Sequence, residues 1–241
     1  MQTTKIEWTD STWNPVTGCS KITAGCVNCY AEKMAQRLKA MGQDKYKNGF
    51  KISLHEDVLN EPLKLKKPHT IFICSMSDLF HKDVSFDFID KVMAVIKQTS
   101  QHRYQLLTKR AERMAKYFKT RHIPTNVWLG TSVENQKTKS RMDYLRELNC
   151  STNFLSCEPL IEDLGELKLN NIDWVIVGGE SGMSARPMKK EWVLNIKEQA
   201  DKQNVAFFFK QWGLFGEDGV RRNKKENGHL LDGNVYQAMP V

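Results

Sequence analysis

Residues 174–180 read Trp-Val-Ile-Val-Gly-Gly-Glu, an apolar run that ends in two glycines and an acidic residue. An apolar run without polar alternation is typical of a strand buried on both faces, as in a parallel sheet. Similar runs recur at intervals of roughly 20 to 35 residues, which leaves room for one crossover helix between strands. The other runs are Thr70–Cys74, Tyr104–Thr108, Val127–Gly130, Phe154–Cys157 and Val205–Phe209.

Helical segments are predicted between these strands, and a further strand is predicted at Trp13–Thr17. Asp83 or Ser85 is expected to cap the helix that begins at Phe86. Seven strands that alternate with helices predict an α/β fold, either a complete or a partial (β/α) barrel. An open doubly wound sheet is the alternative. The predicted helices are Tyr30–Ala40, Phe86–Thr99, Arg110–Lys119, Gln136–Leu148 and Lys190–Gln203.

The length of 241 residues suits one large domain or two small ones. We expect a single barrel domain over residues 1–241. Residues 42–68 show little apolar periodicity and are interpreted as an insertion. The segment from about residue 214 onward is rich in polar residues and glycine, and it is interpreted as a C-terminal extension.

Composition favours a cytoplasmic protein with a polyanionic partner. No apolar run approaches the roughly 18 residues that a membrane helix needs, and the N-terminus lacks the apolar core of a signal peptide. The formal net charge of +8 is compatible with nucleic acid as a partner. Six cysteines, of which three are clustered, indicate metal ligands in a reducing compartment more than a disulfide framework.

The clustered cysteines are Cys19, Cys26 and Cys29, and they form a ligand set that is one short of four. A site that lacks one protein ligand leaves a coordination position open for a small molecule. A structural zinc site would need a fourth ligand such as His55 or His81, and neither lies in a second Cys-x-x-Cys pair. Three unrelated buried cysteines are a further alternative. The spacing favours an iron–sulfur cluster with one position that is not cysteine.

Polar residues follow every predicted strand. In barrels of this kind, the active site lies at the carboxyl ends of the strands. A ligand site is therefore expected there, although polar loops are common in any protein. The residues concerned are Ser75, Ser77 and Asp78, then Lys109, then Ser132 and Glu134, then Glu158, then Glu180, and finally Lys210 and Gln211.

Several motifs resemble a known family. The segment from Asn14 to Cys19, followed by Cys26-Val27-Asn28-Cys29-Tyr30 and a helix, resembles the radical S-adenosylmethionine superfamily near spore photoproduct lyase. The whole chain resembles the phage-associated three-Cys-motif family. The stretches that carry this likeness are Trp8–Pro15, Cys74–Phe80, Leu107–Arg110 and Val177–Gly182.

This resemblance implies a 4Fe–4S cluster on Cys19, Cys26 and Cys29, with S-adenosylmethionine as the second cofactor. It implies an enzyme that generates a 5′-deoxyadenosyl radical and abstracts hydrogen from its substrate. The usual spacing of this superfamily is Cys-x3-Cys-x2-Cys, whereas this chain has Cys-x6-Cys-x2-Cys. The chain therefore departs from the common pattern in the first interval.

The resemblance also implies cofactor contacts at the strand ends. Ser77 and Asp78 lie where the lyase branch binds the methionyl ammonium group, and an ammonium group requires acceptors such as these. Ser75 beside them is also expected to contact the cofactor. Lys109 is expected to pair with the cofactor carboxylate. The remaining assignments are Ser132 and Glu134 for the ribose hydroxyls or the amino group, Tyr30 for adenine, and Glu180 for cofactor or substrate. Each of these residues could instead cap a helix or lie in a solvated loop.

Two cysteines outside the loop are candidate hydrogen-atom donors. The donor cysteine of the lyase branch corresponds to Ser75 here, with Cys74 adjacent, and Cys157 ends another predicted strand. A buried structural thiol is the alternative for Cys157.

The expected substrate is nucleic acid or a nucleotide, which the enzyme modifies or repairs. The remaining alternatives are a non-enzymatic metal- or cluster-containing module that binds nucleic acid or protein, and a radical enzyme that acts on a peptide or small metabolite. Expected partners are an electron donor for the cluster and a genomically neighbouring partner protein, with no membrane. The following residues are candidates to stack on and clamp a nucleic acid: Trp8, Trp13, Trp212, Arg186, Arg221 and Arg222.

Overall fold

The computed structural model describes residues 1–240. It contains ten strands and six α-helices, joined in several places by short 3₁₀ turns. The strands are β1 (Gln2–Thr3), β2 (Ser11–Trp13), β3 (Val16–Thr17), β4 (Ser53–Leu54), β5 (Thr70–Ile73), β6 (Arg103–Thr108), β7 (Val127–Ser132), β8 (Thr152–Cys157), β9 (Trp174–Gly178) and β10 (Ala206–Gln211). The helices are α1 (Tyr30–Ala40), α2 (Phe86–Gln98), α3 (Ala111–Phe118), α4 (Arg141–Arg146), α5 (Lys190–Lys202) and α6 (Lys224–Asn227).

Eight of these strands form one sheet in the order β1-β2-β5-β6-β7-β8-β9-β10. Strand β5 pairs in parallel with β2 and β6, and β9 pairs in parallel with β8 and β10. The order follows the chain without a reversal, whereas a doubly wound sheet changes direction at a switch point. The fold is therefore the predicted α/β barrel type in its partial form, and the doubly wound alternative is wrong.

The chain divides into two compact units. Unit 1 comprises Met1–Ile22, Cys29–Gly130 and Leu148–Ser151. Unit 2 comprises Thr23–Asn28, Thr131–Glu147 and Thr152–Val241. The expectation of a single domain stays a prediction.

Each unit has its own buried aromatic core. In unit 1, Trp13 is fully buried beside Tyr104, with ring centroids 6.1 Å apart. In unit 2, the Trp174 ring lies 5.7 Å from that of Phe154 and 5.9 Å from that of Phe208. Large buried rings remove extensive apolar surface from water and position the strands whose ends carry the polar residues.

Two predicted elements differ from the structure. The strand predicted at Trp13–Thr17 is broken, because Asn14 and Pro15 separate β2 from β3 and β3 pairs antiparallel with β4 instead. Proline has no N–H to donate to a ladder, which explains the interruption. The helix predicted at Gln136–Leu148 is a 3₁₀ turn followed by the short α4, because the Thr138 hydroxyl accepts from the Glu134 and Asn135 N–H groups and closes the turn locally.

The other expectations about elements agree well with the structure. Helix α1 has the predicted bounds, and the hydroxyl of Ser85 caps α2 by accepting from the Phe88 N–H. Residues 42–68 form 3₁₀ turns and β4. The C-terminal segment is polar but packs within unit 2, where the Phe209 N–H donates to the Tyr236 carbonyl at 2.7 Å and Leu231 is buried. Its interpretation as an extension, like that of residues 42–68 as an insertion, stays a prediction.

Candidate functional site

The loop from Gly18 to Cys29 is called the cysteine loop below, and unit 1 holds its first residues. The Gly18 N–H donates to the Met76 carbonyl at 3.1 Å, and the Ser77 hydroxyl donates to the Gly18 carbonyl at 2.5 Å. Gly18 has φ +80°, and a Cβ there would lie 2.2 Å from the Lys51 carbonyl oxygen. Only glycine fits this backbone and this space.

Asp78, which follows β5, is buried, and both of its carboxylate oxygens accept hydrogen bonds. One oxygen accepts from the Thr108 hydroxyl at 2.7 Å and the Phe80 N–H at 2.9 Å. The other accepts from the Arg110 guanidinium at 2.8 Å and the Lys109 N–H at 3.2 Å. Asp78 thereby fixes the orientation of Arg110, since a buried carboxylate needs charged and hydrogen-bonding partners.

Arg110 in turn holds the start of the cysteine loop. Its Nη1 donates to the Cys19 Sγ at 3.5 Å, and its Nη2 donates to the Ser20 carbonyl at 3.0 Å. Burial, followed by the charge of Asp78, raises the pKa of the Cys19 thiol, whereas the Arg110 guanidinium lowers it. A fixed cation at this sulfur favours the thiolate, which is the form that binds a metal.

His81 also contacts the start of the cysteine loop, at Ser20. Its Nε2 lies 2.7 Å from the Ser20 hydroxyl, and its Nδ1 accepts from the Asp83 N–H at 3.2 Å. Burial, and then the nearby Arg110 charge, lowers the pKa of His81, so the neutral ring is favoured. His55 similarly lies 2.8 Å from the Thr17 hydroxyl through its Nε2. His55 therefore hydrogen-bonds a hydroxyl group just before the cysteine loop, and His81 hydrogen-bonds one at its start.

The end of the cysteine loop also belongs to unit 1. Cys29 is the N-cap residue of α1. Tyr30 is 59% exposed, and its hydroxyl donates to the Ser75 carbonyl. The Ser75 hydroxyl donates to the Asn14 side-chain oxygen at 3.2 Å. Unit 1 therefore brings Tyr30 and Ser75 together, and Ser77 and Asp78 together.

Unit 2 holds the middle of the cysteine loop through Glu134, whose side chain is fully buried. The Thr23 hydroxyl donates to one carboxylate oxygen at 2.7 Å, and the Arg141 guanidinium pairs with the other at 2.7 Å. The same Arg141 Nη1 donates to the Ser132 carbonyl at 2.7 Å. A Cβ on Gly25 would lie 2.5 Å from the Glu134 Cγ, so the loop packs directly on this side chain.

Glu180 makes the second contact from unit 2. It pairs with the Arg186 guanidinium at 2.6 Å and accepts from the Asn28 amide at 3.0 Å. Burial would raise the pKa of Glu180, but the hydrogen bonds from Arg186 and Asn28 outweigh it and lower the pKa. The Asn28 amide also donates to the Ser184 carbonyl at 2.7 Å. Asn28 is thus fixed on both sides.

The two candidate donor cysteines lie in the interior. Cys74 and Cys157 are 3% and 0% exposed, and burial raises the pKa of both thiols. Next to Cys157, Glu158 forms an ion pair with Lys210 at 2.9 Å, which joins the ends of β8 and β10. Hydrogen-atom donation by either cysteine stays a prediction.

One set of sequence-based candidates is corrected. Trp8, Trp13 and Trp212 are 4%, 0% and 1% exposed, so their rings belong to the core and are not available to stack on bases. Arg186 is paired with Glu180, and Arg222 is paired with Asp218 at 2.6 Å. The size and apolarity of indole explain the burial, which outweighs its use as a stacking platform.

The partners of the acidic residues were missed in the sequence-based assignment. Arg110 and Arg141 hold Asp78 and Glu134, and Thr23 and Asn28 are the loop side chains that bind Glu134 and Glu180. Arg141 lies only 7 positions from Glu134, whereas the other three contacts, Arg110–Asp78, Thr23–Glu134 and Asn28–Glu180, join residues 32, 111 and 152 positions apart. No local pattern in the sequence reveals the distant contacts. The one local signal is that each arginine follows a strand-end motif within a few residues.

The donor chemistry of the loop fits a thiophilic metal or an iron–sulfur cluster. Cys19, Cys26 and Cys29 are half-buried, and none of them forms a disulfide. Within residues 1–240, no three His, Cys, Asp or Glu side chains are arranged to hold a metal ion. The fit therefore rests on the type and number of donors. No helix in that part of the chain has the length and apolarity to cross a membrane.

A family model matches residues 3–240, and its description is "Protein of unknown function (DUF5131)". The chain belongs to the DUF5131 family. No curated protein matches the chain.

Solved structures of spore photoproduct lyase are similar in fold. A mutant of that enzyme with serine in place of a cysteine aligns with a TM-score of 0.50 at 14% identity, over 84% of this chain and 65% of the other. The complex with dinucleoside spore photoproduct aligns with a TM-score of 0.47 at 14% identity, over 78% of this chain. This chain spans 59% of that lyase chain. The match to the serine mutant supports a shared fold, as the resemblance implied.

Proposed function

We propose that this DUF5131 protein is a radical S-adenosylmethionine enzyme that carries a 4Fe–4S cluster on Cys19, Cys26 and Cys29. The observation that carries the proposal is three half-buried thiols, free of disulfides, within one loop of a partial (β/α) barrel. Membership of the three-Cys-motif family is part of the proposal. The fold shared with spore photoproduct lyase supports it.

When bound, the cluster would supply the electron that cleaves S-adenosylmethionine to a 5′-deoxyadenosyl radical. The chain's own residues position the ligands. Arg110 directs positive charge at the Cys19 sulfur, Glu134 and Glu180 fix the segment that carries Cys26, and α1 begins directly after Cys29. Tyr30, Ser75, Ser77, Asp78, Lys109, Ser132, Glu134 and Glu180 remain the proposed cofactor contacts.

The proposed substrate is nucleic acid or a nucleotide, which the enzyme would modify or repair. The net charge of +8 supports this choice because phosphates attract basic surfaces. The proposed enzyme acts in the cytoplasm and needs an external electron donor for the cluster. A neighbouring partner protein is part of the same proposal.

The test is anaerobic reconstitution of the protein with iron and sulfide. The expected result is a brown protein that, once reduced, forms 5′-deoxyadenosine from S-adenosylmethionine. Cys19→Ser should lose iron and colour, whereas Cys150→Ser, which changes a half-buried cysteine outside the loop, should keep both.

The outcomes separate the alternatives. A colourless, iron-free protein after reconstitution would refute the cluster. Zinc or a cluster without 5′-deoxyadenosine would indicate the non-enzymatic module. If 5′-deoxyadenosine forms but neither DNA, RNA nor nucleotides change its yield, a peptide or small metabolite becomes the better substrate class.

A further inference from the structure

Unit 2 carries an exposed edge beside the segment that holds Cys26. It is made of the loop Ser181–Arg186 and the turn Phe215–Arg221, followed by α6, and it is called the basic edge below. The Arg221 guanidinium donates to the Met183 carbonyl at 2.8 Å, and the Leu214 N–H donates to the Glu180 carbonyl at 3.0 Å. These bonds tie the loop and the turn to each other.

The loop of the basic edge is fixed although it is exposed. The Arg186 N–H donates to the Glu180 carboxylate at 2.9 Å, and the Asn28 amide donates to the Ser184 carbonyl at 2.7 Å. The Ala185 N–H closes a turn onto the Gly182 carbonyl at 3.0 Å. A loop held at both ends and in the middle presents its side chains at defined positions, which lowers the entropic cost of binding.

Met183, at the tip of this loop, is 85% exposed. Val220, in the neighbouring turn, is 48% exposed. Met183 therefore presents an apolar side chain to solvent from a loop whose backbone is fixed. Unbranched apolar side chains such as Met are also among those that proteins insert between bases.

The charges around Met183 favour one class of partner. Arg221, Lys224 and Lys225 are exposed, and Asn223 caps α6 by accepting from the N–H groups of Lys225 and Glu226. Asp218 is engaged by Arg222. Arg221 contacts the Met183 carbonyl, and Lys224 and Lys225 follow it along the chain at the start of α6. An apolar tip with basic residues in the adjoining segment matches a nucleic-acid strand, whose bases offer flat apolar faces and whose phosphates are anionic.

We propose that the basic edge binds a DNA strand, with Met183 against a base and Lys224 and Lys225 on phosphates. This inference rests on the proposed function for its choice of substrate class. Because Asn28 joins the edge to the segment that carries Cys26, a bound strand would lie next to the cysteine loop within unit 2.

The test measures binding of a fluorescein-labelled DNA oligonucleotide of mixed sequence by the metal-free protein, using fluorescence anisotropy at several salt concentrations. Lys224→Ala with Lys225→Ala should weaken binding and reduce the slope of log K against log salt by about 1.4, the value for two phosphates on a single strand. Met183→Ala should weaken binding about tenfold, and Met183→Leu should restore it.

The matched control is Lys197→Ala with Lys202→Ala on α5, which lowers the net charge of +8 by the same two charges. These lysines are paired with Asp201 and Glu198. Equal losses in the two double variants would overturn the proposal, since attraction would then follow net charge alone. DNA binding that neither Met183→Ala nor the Lys224 and Lys225 variant changes would also overturn it, and would leave this edge to a protein partner.

The measurement uses metal-free protein, so it is separate from the test of the cluster. A protein that binds DNA through this edge but forms no cluster would refute the proposed chemistry and support the inference. A protein that makes 5′-deoxyadenosine but binds no DNA would overturn the inference and leave the proposed chemistry standing.

Discussion

Units 1 and 2 hold their parts of the cysteine loop in opposite ways. In unit 1 the acidic residue acts indirectly, because Asp78 orients Arg110 and the arginine contacts Cys19 and Ser20. In unit 2 the acidic residues contact the loop directly, Glu134 at Thr23 and Glu180 at Asn28. Arg141 and Arg186 form ion pairs with these carboxylates and balance their charge.

This difference suggests different tasks. A guanidinium at a sulfur changes the charge balance of the thiol itself. The carboxylates of Glu134 and Glu180 make no contact with sulfur in these bonds and instead fix the side chains of Thr23 and Asn28, and the Thr23 hydroxyl also lies 3.8 Å from the Cys26 Sγ. We therefore expect unit 1 to influence the reactivity of a cysteine, and unit 2 to determine whether the loop keeps its shape.

The largest effect is expected for Gly25→Ala in unit 2. The new Cβ would lie 2.5 Å from the Glu134 Cγ, and it would displace a buried carboxylate from Arg141. Overpacking and a disturbed buried ion pair should together lower the free energy of unfolding by about 3 kcal/mol, measured by urea denaturation.

Gly42→Ala is the matched control, because Gly42 has φ +72° but nothing within 4 Å of a new Cβ. It should cost only about 1 kcal/mol of backbone strain. Because Gly25 has no positive φ, a loss there comes from the contact itself, and a loss no larger than that of Gly42→Ala would mean that Glu134 moves aside at little cost.

Sequence reasoning located the strands well because buried parallel strands are short, continuous and apolar, as in Trp174–Gly178. It also located the polar strand ends at Asp78, Glu134 and Glu180. It could not predict that these carboxylates hold the loop, because their partners Arg110, Thr23 and Asn28 meet them only through tertiary folding.

The sequence-based errors have physical reasons too. The strand predicted at Trp13–Thr17 is interrupted after Trp13. The side-chain oxygen of Asn14 accepts from the Met76 N–H at 3.1 Å, and Pro15 has no backbone N–H to donate to a neighbouring strand. Of the tryptophans proposed for nucleic-acid stacking, Trp13 and Trp212 can be buried because their indole N–H groups find acceptors inside the fold. The Trp13 Nε1, for example, donates to the Val58 carbonyl at 2.9 Å.

The second prediction concerns unit 1 and uses Arg110→Gln. Burial and Asp78 raise the pKa of Cys19 and Arg110 lowers it, so removal of the guanidinium should raise the pKa further. The higher pKa would reduce the thiolate fraction at neutral pH, and with it the rate at which iodoacetamide alkylates Cys19. Peptide-resolved mass spectrometry of the metal-free protein would measure the rate at each cysteine.

The internal standard is Cys150 in the same molecule, whose Sγ donates to the Val127 carbonyl at 3.0 Å, away from Arg110. Arg110→Lys keeps a cation and should recover part of the Cys19 rate. Equal slowing of alkylation at Cys19 and Cys150 would show an effect that is not specific to Cys19, and faster alkylation of Cys19 would show that the loop has opened. Either result would contradict the electrostatic role that we assign to unit 1.

The smallest effect is expected for Glu180→Gln, and its signature is a dependence on pH. The folded pKa of Glu180 is lowered from its ordinary value of 4.5. Its charge therefore contributes stability that is fully present above pH 4.5 and is lost as the pH falls through the folded pKa.

At pH 7, the free energy of unfolding of the wild type should exceed that of Glu180→Gln by about 1 kcal/mol, because charge-assisted hydrogen bonds are stronger than neutral ones by this order. Urea denaturation of both proteins from pH 7 down to pH 3 should show this gap closing, whereas Glu198→Gln, in an exposed pair with Lys202, should show almost no gap. If this difference in unfolding free energy stays constant with pH, Glu180 stabilises the fold through packing and not through its charge. The carboxylate charge would then play no part in fixing Asn28.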